Sequence, residues 1–320
     1  MLRLKPTARR LIVAGFAASC VFSFSAPGYS GVIGSSILEI LNFQIRDAGG
    51  GAQLTLGGDI SVIAGNNSGD LSVGLGAAND STSAAAPVAL APAFGAIDLA
   101  QLCLGTGCSP FPENSYSGFG QTPPPTSTYA LADMVLTGSA LDATANGGPA
   151  GGTNARSRAG VSIEGGTNNG SSTSTTGSDV NVQLVSSVDR DIEFSLDYIL
   201  NMLAFVDSSM PGTTGSSQAG ASWSLSLFQL TNPANQLSWS PSEINRTINL
   251  SVDANVPVSD SGSLVSNTFT MLAGQQYQFG VSHSTRSEAS FLVPEPGVIA
   301  IFGMGLLAIG LASTRRSRSA

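Results

Sequence analysis

The chain has 320 residues, a formal charge of −8, only 11% charged side chains, 38 glycines and three cysteines. Seven of its thirteen basic residues lie in the two ends, so residues 26–292 keep six arginines and no lysine against twenty acids, a net charge near −14. Such a surface repels nucleic acid and anionic lipid and excludes a polyanion-binding role.

Residues 1–25 read as a secretory signal peptide. Arg3, Lys5, Arg9 and Arg10 precede the apolar run Leu11 to Phe24, and Ser23 and Ser25 supply small residues for cleavage. The body after it carries mostly a period of two. Leu41, Phe43 and Ile45 alternate with Asn42 and Gln44 to give a first strand. Leu54 to Leu56, Ile60 to Val62 and Leu71 to Leu75 are short alternating runs. Gly-Gly-Asp and Gly65-Asn-Asn-Ser-Gly-Asp70 separate them, so they read as hairpins with turns at those glycines. Ala84 to Ala93 has the Ala and Pro content of an irregular segment.

Cys103 and Cys108, the only cysteines left after signal removal, are five residues apart with two glycines between them. An oxidising compartment closes such a pair into a small disulfide loop. A metal site would need two more soft ligands, which one histidine and no third cysteine do not provide. Pro110 to Thr128 is a loop around Pro123-Pro124-Pro125, and Tyr129 to Leu141 fits either a strand or a short helix. Asn146 to Gly177 buries little apart from Val161 and Ile163, and reads as a long loop or hairpin tips.

Beyond residue 177 the alternation sharpens in Val182 to Leu184, Ile192 to Tyr198, Trp223 to Leu227, Ile248 to Val252 and Tyr277 to Val281. Ile199 to Phe205 is apolar on both faces and fits a continuing strand or a helical turn. Strands recurring this often, with Gly-rich turns and no ten-residue amphipathic helix, indicate a mainly β chain. The expected fold is an antiparallel β-sandwich, jelly-roll-like, with a β-solenoid as the runner-up. Residues 26–292 form this extracellular β-rich domain, with a looser Gly/Ser/Pro-rich part to 177 and a clearer sandwich part over 178–292.

The catalytic inventory is thin. His283 is the only histidine, expected at a surface or edge, and no Gly-x-Ser-x-Gly elbow accompanies it. The pairs Asp189/Asp191 and Glu193/Asp197 each share a strand face, and a hydrolase would have to recruit one of them. Asp59, Asp70, Asp189 and Asp191 lie in Gly- and Asn-rich stretches that suit calcium, but without an EF-hand or nonapeptide repeat; no other cofactor is indicated. For sugar stacking the aromatic candidates are Trp223, Trp239 and Tyr277. Trp223 alternates with core leucines, which leaves Trp239 as the candidate glycan contact. Asn66, Asn79, Asn169, Asn245 and Asn249 begin Asn-x-Ser/Thr triplets and mark accessible turns.

The tail, residues 293–320, organises the rest. Val293, Pro294, Glu295 and Pro296 form an extended joint, because each proline disfavours helix before it and lacks an amide hydrogen. Gly297 to Ala312 follows, sixteen residues without charge. At 1.5 Å per residue they span about 24 Å against a bilayer core of about 30 Å, a minimal transmembrane helix. Arg315, Arg316 and Arg318, in the basic tail 313–320, hold the C-terminus in the cytoplasm and put the body outside.

This order of Pro-Glu-Pro joint, short apolar helix and arginine cluster closely resembles the PEP-CTERM sorting signal of exopolysaccharide-producing bacteria. The resemblance covers residues 293–320. More weakly, the opening strand, the Asp98 to Cys108 loop and the Leu272 to Tyr277 hairpin resemble exosortase-dependent surface proteins. The tail resemblance implies export through the secretion translocon, transient anchoring in the membrane, and processing near Pro294 by an exosortase-type enzyme. The expected product is a non-enzymatic protein of the cell surface or exopolysaccharide matrix, or else a glycan-binding module of that matrix.

Overall fold

Alternating side chains do become strands, but longer ones than the runs suggest. The computed structural model describes residues 30–55, 58–87, 96–108, 111–118, 122–138, 153–165, 170–209, 212–293 and 305–306, with backbone alone at 170–176 and 178. Within these residues lie β1 (Gly31–Asp47), β2 (Ile60–Leu75), β3 (Ala78–Pro87), β4 (Ile97–Gly105), β5 (Tyr129–Gly138), β6 (Thr153–Glu164) and β7 (Gly170–Ser186). They continue as β8 (Arg190–Asp207), β9 (Thr214–Gln229), β10 (Asn232–Trp239), β11 (Arg246–Leu250), β12 (Ala254–Val265), β13 (Phe269–Met271) and β14 (Gln276–Leu292).

They make two seven-stranded sheets, antiparallel at every pairing given, stacked as a β-sandwich. The first runs β12-β8-β1-β6-β5-β4 with β13 also on β8, and the second runs β10-β9-β14-β7-β2-β3 with β11 also on β9. Each layer holds strands from before and after residue 177 side by side, meeting at β1 and β8 in the first and at β7 in the second. The open reading at 129–141 resolves as strand over 129–138, in β5, with 139–141 outside the described residues, and that at 199–205 resolves as strand in β8.

Three expectations are corrected. Gly65 to Asp70 is not a turn but the middle of β2, paired to β7 on one side and β3 on the other. Gly69 leaves room for a side chain across the layers: a Cβ there would stand 2.9 Å from the Met134 thioether of the first sheet, whose flexible end would have to shift. Ala84 to Pro87 belongs to β3, and 153–164 and 170–177 belong to β6 and β7, because paired neighbours complete their backbone hydrogen bonds whatever their side chains bury. Finally, Leu41 does not share the face of Phe43 and Ile45. Val32, Leu38 and Ile40 point into the core, a bulge at Leu41 and Asn42 shifts β1 against both neighbours, and Phe43 and Ile45 take over. Asn42 sits at φ 52°, a left-handed value that asparagine tolerates.

The core is uneven along the strands. At one end aromatic rings fill it: Phe43, Phe194 and Phe279 lie 5.6 to 6.1 Å apart near parallel, with Trp223 edge-on to Phe43 at 5.8 Å. Toward the other end the layers close to a waist of small residues, among them Gly34, Ala159, Ser217, Ala219 and Ser287. There hydroxyls cross the sandwich. Ser217 Oγ donates to the Ile33 carbonyl at 2.6 Å and Ser287 Oγ to the Ala159 carbonyl at 2.9 Å.

Candidate functional site

The sorting joint begins where the sandwich ends. β14 stops at Leu292, 60% exposed, and the half-buried Val293 packs against the core. Pro294, Glu295, Pro296, Arg315, Arg316 and Arg318 lie outside the described residues, as do residues 1–25 and all of 297–312 except Gly305 and Leu306. Among the described residues no helix is long and apolar enough to cross a membrane.

Cys103 and Cys108 are joined in a disulfide, Cα to Cα 5.7 Å, where β4 ends. The bridge packs on Phe111, Tyr129 and Leu131, so the segment after it folds back over the outer face of the first sheet. A buried polar cluster holds that segment down. Asp133 of β5 and Arg158 of β6 face each other in register, both almost fully buried. The Asn114 amide donates to Asp133 Oδ2 at 2.8 Å, and Arg158 Nη1 donates to the Ser115 carbonyl at 3.0 Å. The Arg158 guanidinium lies 4.9 Å from the Phe111 ring centroid, a cation–π contact.

Burial dominates the cluster's electrostatics. It pushes the Asp133 carboxyl up to about 6 against the lowering pull of the Asn114 amide, and it lowers the Arg158 guanidinium. Burial likewise raises the Tyr116 phenol, assisted by Asp133, and takes Tyr129 up to about 12. The available signal was one acid, Asp133, inside the otherwise apolar run Tyr129 to Leu136. Nothing near Arg158 announces its partner.

His283 is the clearest correction. It is 2% exposed on the inner face of β14, not at a surface or edge. Its Nε2 lies 3.3 Å from Ser157 Oγ of β6, and the Leu38 backbone of β1 gives it a further hydrogen bond. The imidazole thus bridges the layers beside a space of about 40 Å³ lined mainly by apolar side chains such as Phe43, Trp223 and Phe279. Burial lowers its pKa to about 4, so it is neutral near pH 7. A serine and a histidine in contact suggest a nucleophile and a base, but among the described residues no carboxylate orients this ring, and the pair is shut inside the sandwich. Its chemistry is cohesive: two buried polar groups satisfy each other between the layers.

The remaining candidates do not converge on one place. Trp239 is half-buried on β10, edge-on to Trp223 at 5.0 Å, while Trp223 and Tyr277 are core residues. Tyr277 spends its hydroxyl on the Leu272 amide at 2.7 Å. Asp189 accepts from the Ala273 amide, Asp191 from the Thr270 hydroxyl, and Asp59 from Thr55 and Arg190. Burial and nearby Asp179 raise Asp70. Among the described residues no three of His, Cys, Asp and Glu converge as metal ligands.

Of the asparagine triplets, Asn66, Asn79 and Asn249 sit within β2, β3 and β11 rather than in turns, and Asn169 lies outside the described residues. Asn245 imitates a strand: its side chain accepts from the Trp223 amide and donates to the Trp223 carbonyl, both at 2.9 Å. Comparison with models of known protein families, with curated proteins and with solved structures returns no match for this chain.

Proposed function

We propose that this is an exported, non-enzymatic protein of the cell surface or exopolysaccharide matrix, sorted by its C-terminal tail. The observation that carries the reading is the tail sequence: Val293 to Pro296, then sixteen uncharged residues, then Arg315, Arg316 and Arg318. A helix of that length is a minimal span and the arginines set its direction. The translocon delivers the chain, the tail holds it briefly in the membrane, and an exosortase-type enzyme cuts near the joint.

Two features of the body support this reading. The body carries six arginines and no lysine, with one disulfide, a composition suited to an oxidising exterior. Its single histidine is sealed between the layers, where it cannot act as a base on a substrate. The test is mass spectrometry of both ends of the mature protein, from hosts with and without the exosortase. Loss of residues 1–25 together with loss of the tail only in the enzyme's presence is expected. A mature protein that still ends at Ala320, or a tail removed equally in both hosts, overturns the proposal.

A further inference from the structure

The outer face of the first sheet carries an open groove of about 530 Å³, within the size range of small-molecule sites. Its floor is β1 and β8 at the bulge. One wall is the chain that turns back after β1, where Gln53 bridges to Arg46, and the other is the end of β12 from Ser263 to Val265. The bulge creates the floor's chemistry. By reversing the inward face of β1, it brings Asn42 and Gln44 to the outer face together, next to Ser195 and Asp197 of β8.

Three carboxamides and two serine hydroxyls, groups that each donate and accept, therefore line the groove beside apolar side chains. Asp197 is already engaged, accepting from Asn42 Nδ2 at 2.8 Å and from Ser263 Oγ at 2.5 Å. Arg46 stands out. Four of the six body arginines pair with carboxylates, and Arg158 lies over Phe111. Among the described residues Arg46 alone of the six has neither kind of contact, and it lines the groove. The acid opposite it in register, Glu193, gives its two oxygens to the Gly49 and Gly50 amides at 3.1 and 2.9 Å. An arginine without an ion pair among the described residues thus lines a groove of mixed polar and apolar groups, with Val265, 55% exposed, as an apolar rim.

We infer that this groove binds a neutral sugar chain. Ring hydroxyls match the carboxamides and serines, a hydroxyl oxygen accepts from the Arg46 guanidinium, and the apolar C–H face of a sugar ring rests on Val265. Asp197, Glu193 and a body charge near −14 disfavour acidic sugars. The inference concerns the body and is independent of the fate of the tail.

The test is calorimetric titration of the full chain in mild detergent with neutral hexasaccharides of glucose or mannose and with an oligouronate of equal length. Saturable sub-millimolar binding to a neutral chain is expected, about tenfold weaker in Arg46→Ala and in Val265→Asp and unchanged in Trp239→Ala. Val265→Asp changes an exposed rim residue and so separates lost binding from lost folding. Absence of saturable binding to every neutral chain, full affinity in both groove variants, or tighter binding of the oligouronate overturns it.

Discussion

Gly34 is a point of close approach between the two layers, and adding one methyl group there should pry them apart. A Cβ on Gly34 would stand 2.5 Å from the Gln218 carbonyl oxygen and 2.8 Å from the Glu288 carbonyl oxygen, where ordinary contact begins at 3.4 Å. Both obstacles are backbone of the opposite sheet and cannot swing aside. The waist must open by roughly 0.9 Å, enough to forfeit about a quarter to a half of each dispersion contact across it. The same opening stretches the Ser217 to Ile33 bond from 2.6 Å and the Ser287 to Ala159 bond from 2.9 Å beyond useful length. Overpacking at about 1–3 kcal/mol and two buried hydrogen bonds at about 1 kcal/mol each give a loss of about 3–5 kcal/mol for Gly34→Ala. In a domain of this size that lowers Tm by about 10 °C. Urea unfolding beside Gly160→Ala is the assay, because a Cβ on Gly160 meets nothing closer than 3.7 Å and should cost little. Equal effects of the two substitutions would refute the close-approach account. So would a Gly34→Ala loss below about 0.5 kcal/mol, the size of an ordinary surface substitution.

His283 and Asp133 should pull the pH profile in opposite directions. The folded state keeps His283 neutral down to about 4 while the unfolded chain protonates it near 6.5, so stability falls as pH drops through that window, by about 3 kcal/mol at most. Asp133 takes its proton near 6 when folded and near 3.8 when unfolded, so it makes stability rise as pH drops over 6 to 3.8. Urea midpoints of Asp133→Asn should therefore fall on acidification and those of His283→Asn should rise; variants with parallel profiles would contradict both assignments. Arg158→Met removes both a cation that lowers the Asp133 carboxyl and the bond to the Ser115 carbonyl, and should cost about 1–3 kcal/mol, with Arg158→Met/Asp133→Leu recovering most of it, as read by thermal melts. Opening the disulfide with Cys103→Ser/Cys108→Ser frees only a small loop in the unfolded chain, so the cost should stay near about 2 kcal/mol, and limited proteolysis should cut first within 106–118.

The layered β architecture was legible because alternation survives burial: Ile192, Phe194, Leu196 and Tyr198 declare their face at once. The Cys103 to Cys108 bridge followed from spacing and compartment. What stayed hidden depends on partners far along the chain. A glycine that reads as a turn in Gly65 to Asp70 is instead a place where Met134, three strands further on, needs space. Leu41 seemed one with Phe43 until a bulge turned it away, and no local pattern encodes that. His283 looks superficial because Ser282 and Ser284 flank it, yet the period of two that exposes them also buries the ring. The groove on the outer face draws on β1, β8, β12 and a return turn, so no contiguous motif describes it.

The placement of the first and last strands governs when the molecule can close. β1 lies between β6 and β8, and β14 between β7 and β9, so each layer is built around one terminus of the body. A chain threaded through a pore from its N-terminus cannot finish the second layer until Leu292 has emerged, long after the first strand did. Folding is then late and slow, as pairings between distant segments require. Only Val293 separates the last strand from Pro294. If the tail sorts the protein as proposed, an enzyme cutting near Pro294 would have to work directly against the end of an interior strand.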